Sequence, residues 1–226
     1  MSGASGMRSG SNEPTPYHRH VRLAPSNSLP RRADPTVREI SRAWRRLTGG
    51  TDRGVDPARR TLIACSGGAD SCGLLLALTA AVSEPSKILV VGHIVHDLRP
   101  ESESLEGANV AQSLAVRLGI PFVIAGAKVK GRAGNPESNA RQERYRQLAR
   151  LAQETGCPFI ATAHHEDDQL ESVLMALVRG SGPRGLAGIA SARSTRSLTI
   201  IRPSRAVAPV ELRRLCGDCG VTWSED

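Results

Sequence analysis

The chain has 226 residues, 39% hydrophobic and 3% aromatic, with 30 Lys and Arg against 22 Asp and Glu, a formal charge of +8. That length supports one core of about 150–200 residues, and no apolar stretch approaches the ~20 residues of a membrane span or forms an N-terminal signal segment. Five cysteines (Cys65, Cys72, Cys157, Cys216 and Cys219) show no disulfide framework, so a reducing cytoplasm is expected, and the scarce aromatics exclude a broad base-stacking surface.

The charge is uneven. Residues 1–60 carry twelve basic and five acidic groups, and residues 179–214 carry eight and one. The middle of the chain is therefore net acidic. Basic flanks around an acidic middle suit a polyanionic partner.

Residues 1–33 are rich in Gly, Ser, Pro and Arg and read as a disordered basic tail. Asp34-Pro35 then opens a helix through Trp44 and Leu47, closed by Gly49-Gly50. Beyond it the pattern alternates. Strands are expected at 61–65, 88–93, 121–125, 158–162 and 198–202. Helices are expected at 70–80, 102–118, 137–155, 165–179 and 209–217. Residues 180–197, with their glycines and arginines, read as a mobile basic loop. A repeated βα pattern gives an α/β fold with a mostly parallel five-stranded sheet and helices on both faces. Such sheets bind ligands outside the carboxyl ends of their strands.

The motifs fall at those ends. Ser66-Gly67-Gly68-Ala69-Asp70-Ser71 joins the first strand to the next helix. A glycine turn feeding a helix start presents backbone amides and the positive end of the helix dipole to an anion. Ser66 and Ser71 can donate to phosphate oxygens. Asp70 repels phosphate, so it is the candidate ligand for a Mg²⁺ ion between them. No Gly-Lys-Ser/Thr follows, which excludes the usual P-loop. The features point to ATP chemistry.

The second strand ends at His93-Ile94-Val95-His96-Asp97-Leu98-Arg99. His93 and His96 can approach a nucleotide or the backbone of a loop. No further Cys or His set completes a zinc site there. The fourth strand leads into His164-His165-Glu166-Asp167-Asp168-Gln169-Leu170-Glu171. Asp168 can join Asp70 on magnesium, and His164 or His165 can orient a phosphate or shuttle a proton. Arg141 and Arg144 share a helix face, and an arginine fork there suits a phosphoryl group. The glycines of Arg179-Gly180-Ser181-Gly182-Pro183-Arg184-Gly185 make a loop able to close over pyrophosphate or an RNA backbone.

Ser-Gly-Gly-x-Asp-Ser at 66–71 resembles the signature of the PP-loop ATP pyrophosphatases. With His93-x-x-His96-x-Leu98-Arg99, Arg141-x-x-Arg144-Tyr145, the 163–171 segment, Arg179-Gly180-Ser181-Gly182 and the closing Trp223-x-Glu225-Asp226, the chain is similar to the tRNA(Ile)-lysidine synthetases within that superfamily. The similarity covers about 35–226. It implies an adenine nucleotide alpha hydrolase-like, Rossmann-like domain over 34–226, with ATP and Mg²⁺ as cofactors. It also implies the activity: adenylation of the C2 oxygen of cytidine 34 in the CAU anticodon of tRNA(Ile), then displacement of AMP by the ε-amine of free L-lysine to form lysidine. The candidate ATP-binding residues are Ser66, Gly67, Gly68, Ala69, Asp70, Ser71 and His93. The candidate catalytic residues are Asp70, Asp168, Arg141, His165 and Arg179, with Asp70 and Asp168 as metal ligands.

Enzymes of this type are often dimeric, so a homodimer is expected, with no membrane partner. Val95 and Asp97 stand where the family usually has Asn and Gly. Relatives continue past Trp-x-Glu-Asp into further tRNA-binding regions, which are expected to be absent here, with the basic tail substituting in part. Two other readings compete. One is a tRNA 2-thiolation enzyme of the same superfamily, for which Cys216-x-x-Cys219 would be the cysteine pair. The other is a non-catalytic RNA-binding relative.

Overall fold

A computed structural model describes residues 28–50, 55–97, 101–131, 133–163, 191–194 and 198–224. Helix α1 spans Pro35–Leu47. The Asp34 side chain caps it by accepting from the Thr36 and Val37 amides at 2.9 and 3.4 Å, and Pro35 supplies a preset φ at the first helical position. The helix ends before Gly49, at φ +74°. Residues 28–33, expected as the end of the tail, are held in place. Arg32 donates to Ala80 O at 2.8 Å and Val82 O at 3.0 Å.

A 3₁₀ turn at Pro57–Arg59 precedes strand β1, Thr61–Ala64, and helix α2, Ala69–Ala81. A four-residue helix α3, Pro85–Ile88, leads into β2, Leu89–His96. Then come α4, Glu101–Leu118, β3, Phe122–Ala127, and α5, Pro136–Glu154. Strand β4, Phe159–Ala161, is followed by β5, Ala192–Ser194, β6, Thr199–Ile201, and α6, Pro209–Asp218. The 3₁₀ turn and α3 were not expected; each opens on a proline whose fixed φ suits a helix start.

The five expected strands pair in parallel in the order β3-β2-β1-β4-β6. A sixth strand, β5, adds antiparallel to β6 at the edge. It corrects the loop reading at 192–194, where Ala192, Arg193 and Ser194 pair with Ile201, Ile200 and Thr199. Strand β2 also runs three residues past its expected end, because β3 continues to pair with it as far as His96–Ala127. The expected helix at 165–179 and most of the loop at 180–197 lie outside the described residues.

Alternation on the strands divides the core into two layers. Ile63, Leu89 and Val91 face a cluster built with α1, α2, α4 and α6, whereas Leu62, Val90 and Ile160 face α5 through Leu148, Leu151 and Ala152. Helix α2 is buried nearly all round, which explains its unbroken apolar run from Leu74 to Leu78. It meets α6 so closely at Gly73 that a β-carbon there would lie 2.8 Å from Leu212 Cβ. Strand β1 sits between β2 and β4, so the chain order reverses beside it. The loop leaving β1 therefore opens at the topological switch point, where α/β sheets hold ligands.

Candidate nucleotide site

The turn after β1 is built from its own side chains. Cys65 N extends the ladder by donating to Gly92 O at 2.9 Å. Ser71 Oγ donates to Gly68 O at 2.9 Å and accepts from Ser66 N at 3.1 Å. The Ser66 hydroxyl lies 3.2 Å from it and accepts from Gly68 N at 3.3 Å. Ser71 is buried and Ser66 exposed. Ser71 thus shapes the turn with its proton, while Ser66 stands at the open side.

Gly67 has φ +95°, a conformation that side chains rarely adopt. Its carbonyl accepts from Ser224 N at 3.0 Å, which ties the Trp223-Ser224 segment to the turn. On the other side α4 approaches through Gly107, whose backbone oxygen would lie 2.5 Å from a β-carbon on Gly67. Gly68 is the N-cap of α2 and no side chain caps that helix. A glycine turn, a 13-residue helix without a side-chain cap and a switch-point location together fit a phosphate group.

Asp70 stands in the first turn of α2 with its Oδ1 buried. A hard carboxylate oxygen beside an anion site suits Mg²⁺. Among the described residues no three His, Cys, Asp or Glu side chains gather as a metal group. Asp168, His165 and Arg179, like His164, Asp167 and Arg99, lie outside the described residues. Thr162 and Ala163, just after β4, are the last described residues before the His164–Glu171 segment.

His93 is buried on β2 and its Nδ1 lies 2.7 Å from Cys65 O, so that nitrogen carries the proton and donates. It grips the backbone of the phosphate turn. Burial holds its pKa below the ordinary imidazole value, the bond to Cys65 O opposes that, and the Arg144 charge adds to the lowering. Beneath the turn Cys216 Sγ donates to Ala69 O at 3.4 Å, and burial pushes that thiol up to about 12. The hydrogen bond with Cys65, reinforced by burial, raises Cys72 as well. Cys65 moves the other way: its hydrogen bond with Cys72 lowers its thiol, burial opposes that, and Ser71 and Gly67 add to the lowering.

Helix α5 joins parallel strands β3 and β4, so its N-terminal end returns to the ligand edge of the sheet. Arg141 and Arg144 are exposed on it, and the Arg141 guanidinium lies 5.5 Å from the Tyr145 ring centroid. Glu143, one of the acids that could have paired with them, is buried and binds Arg146 at 2.6 Å and Gln147 at 2.7 Å.

Asp97 has a local role. Its carboxylate accepts from Val129 N at 2.8 Å and Lys130 N at 3.2 Å, fastening the loop after β3. Desolvation pushes its pKa up, but these backbone donors outweigh it and hold the carboxyl below its ordinary value. The charge at a position where glycine is usual thus has a structural partner.

Two participants were missed by sequence reasoning. Gly107 and Ser224 both touch the turn, and the only available signal was a glycine in mid-helix, which costs about 1 kcal/mol relative to alanine unless packing requires it.

Residues 38–226 match the family model of the PP-loop domain. The chain is 38% identical over 171 residues to the tRNA(Ile)-lysidine synthase of Symbiobacterium thermophilum, covering 74% of this chain and 35% of that protein. It is 37% identical over 194 residues to the tRNA(Ile)-lysidine synthase of Salinispora arenicola, covering 84% of this chain and 56% of that protein. The chain thus spans about a third to just over half the length of these curated relatives. In fold it is similar to the U34-tRNA thiolase NcsA of Methanococcus maripaludis, with a TM-score of 0.64 at 21% identity over 83% of this chain and 64% of that one. The glycine turn at the switch point and the match over residues 38–226 lead to one conclusion: this chain belongs to the PP-loop family.

Proposed function

We propose that this chain carries the ATP-dependent chemistry of lysidine formation on tRNA(Ile). The observation that carries the reading is the phosphate turn at 66–71, in a chain 37–38% identical to proteins of that activity. The C2 oxygen of cytidine 34 in a CAU anticodon attacks the α-phosphorus of ATP, and pyrophosphate leaves. The ε-amine of free L-lysine then attacks C2 and AMP leaves with the former C2 oxygen. Gly67 and Ala69 offer backbone amides to the departing pyrophosphate, with Ser66 at its open side. His93 keeps the turn in register through Cys65 O. Asp70 and Asp168 would hold Mg²⁺, which when bound offsets negative charge on the phosphates. Arg141 and Arg179 are assigned the same task at the phosphoryl group, and His165 orientation or proton transfer. A cytoplasmic, homodimeric enzyme is part of this reading.

The thiolation reading needs reactive or cluster-binding cysteines. All five cysteines are buried, and Cys216 and Cys219 lie in the core between α6 and its neighbours. That favours the lysine reading. The test is incubation of the chain with ATP, Mg²⁺, lysine and unmodified tRNA(Ile), with AMP and the modified nucleoside measured together. Lysine-dependent AMP release with lysidine in the RNA is the expected result. Absence of both at millimolar magnesium, or sulfur in the RNA, would overturn it.

A further inference from the structure

The far end of α2 carries a cluster of arginines that the nucleotide site does not use. Helix α1 sets Arg38, Arg42 and Arg45 at i, i+4 and i+7, on one stripe. Arg32 joins them from the preceding segment. With Ala81 they line a cavity of about 160 Å³. Ala81 lies eleven residues beyond Asp70 on the same helix, which puts this cavity about 17 Å from the phosphate turn by helix rise.

Two of the cluster's members are tied to the protein. Ile40 and Trp44 are buried on the core side of α1, while Val37 and Ser41 line the cavity beside the arginines. Arg32 is fixed by its bonds to Ala80 O and Val82 O, and Arg45 by a 2.9 Å bond to Ser41 Oγ. Like charges one turn apart destabilise a helix. Two described acids lie near the stripe. Glu39 meets Arg42 at 3.5 Å in an exposed pair, and Asp34 caps α1 and is bound by Arg214 at 2.9 Å. All six basic residues between 28 and 50 are arginine, none lysine. Guanidinium forks suit phosphate oxygens better than point charges do. The stripe from Arg38 to Arg45 is about 10 Å long, more than one phosphate requires.

We propose that this arginine cavity is a second RNA contact, holding backbone phosphates while the turn at 66–71 works on the anticodon base. The inference rests on the lysidine reading for its partner. A backbone contact fixes position without reading sequence. Arg38→Ala with Arg42→Ala should therefore weaken cognate tRNA(Ile) and a transcript with a changed anticodon alike, by roughly fivefold to tenfold at low salt, and flatten the salt dependence by about 1.5 in log–log slope. The KM for ATP should stay unchanged.

Both positions are exposed and alanine favours helix, so the variant keeps its fold. Arg38→Lys with Arg42→Lys should restore the salt slope but only part of the affinity. Filter binding of both transcripts over a salt series, with vesicles of anionic lipid in a parallel arm, is the experiment. Native affinity and slope in the alanine variant would overturn the inference, as would a loss confined to cognate RNA or one seen only on vesicles. If the native chain modifies tRNA while the variant binds it equally well, the arginine contact alone fails. If the native chain binds neither transcript, the lysidine reading fails with it.

Discussion

Gly107 of α4 and Gly67 of the phosphate turn meet backbone to backbone. A β-carbon on Gly67 would lie 2.6 Å from Gly107 Cα, and one on Gly107 would lie 2.5 Å from Ser66 O. Neither overlap involves a flexible side chain, so the turn itself must move. Gly107→Ala is expected to keep the fold but raise the KM for ATP roughly tenfold or more, because small displacements of a binding frame are amplified. Gly67→Ala adds an unfavourable φ and should also destabilise by about 1–2 kcal/mol. Thermal melts with ATP titration separate the two effects; an unchanged KM in both variants contradicts the clamp.

Asp70→Asn removes a charge without changing shape. A loss of at least about 100-fold in AMP formation is expected, since an ion at the phosphates contributes several kcal/mol. The melting temperature should move little. Rates measured over a magnesium series decide it, and a variant as active as the native chain removes Asp70 from the metal.

His93 links stability to pH. Its folded pKa is lowered by burial, so the unfolded chain binds the extra proton first as pH falls through about 6.5. Stability is fully present above that value and falls as pH drops from 6.5 toward the folded value. His93→Asn keeps a donor for Cys65 O and should flatten this slope. Melts between pH 5.5 and 7.5 test it. A slope that persists unchanged in the variant assigns it to other groups.

Asp97→Gly restores the residue usual at this position and removes the acceptor for the Val129 and Lys130 amides. Faster hydrogen exchange at those two amides is the expected change, with exchange elsewhere in β2 and β3 unaltered. In the native chain the same protection should weaken as pH falls through the lowered Asp97 pKa. Equal protection in variant and native chain rules out the anchor.

Arg214 donates to Asp34, the cap of α1, at 2.9 Å and to Glu211 and Asp218 on its own helix at the same distance. It is 37% exposed, so each pair is partly screened. A double-mutant cycle of Arg214→Ala and Asp34→Asn should give a coupling of about 1 kcal/mol. Simple additivity would leave the Thr36–Glu211 hydrogen bond and packing to join α1 and α6.

The main elements were legible because their causes are local. Pro35 after Asp34 starts α1, the apolar runs at 61–65 and 88–93 are strands buried on both faces, and Gly67-Gly68 ends a strand and opens a helix. Strand β5 was not legible, since Ala192–Ser194 has no pattern of its own and exists through pairing with β6. Nor was the true task of Asp97, whose partners lie 32 and 33 residues away.

By itself the sequence determined that a glycine turn exists, that it follows a buried strand, and that Asp70 stands within it, because spacing and backbone preference are properties of a short segment. Only the tertiary structure decided how that turn is held. His93 reaches Cys65 O across 28 residues, Gly107 admits the turn by lacking a side chain, and Ser224 N closes on Gly67 O from the far end of the described chain. These contacts depend on which strands and helices become neighbours, and close packing fixes that only when the whole core assembles.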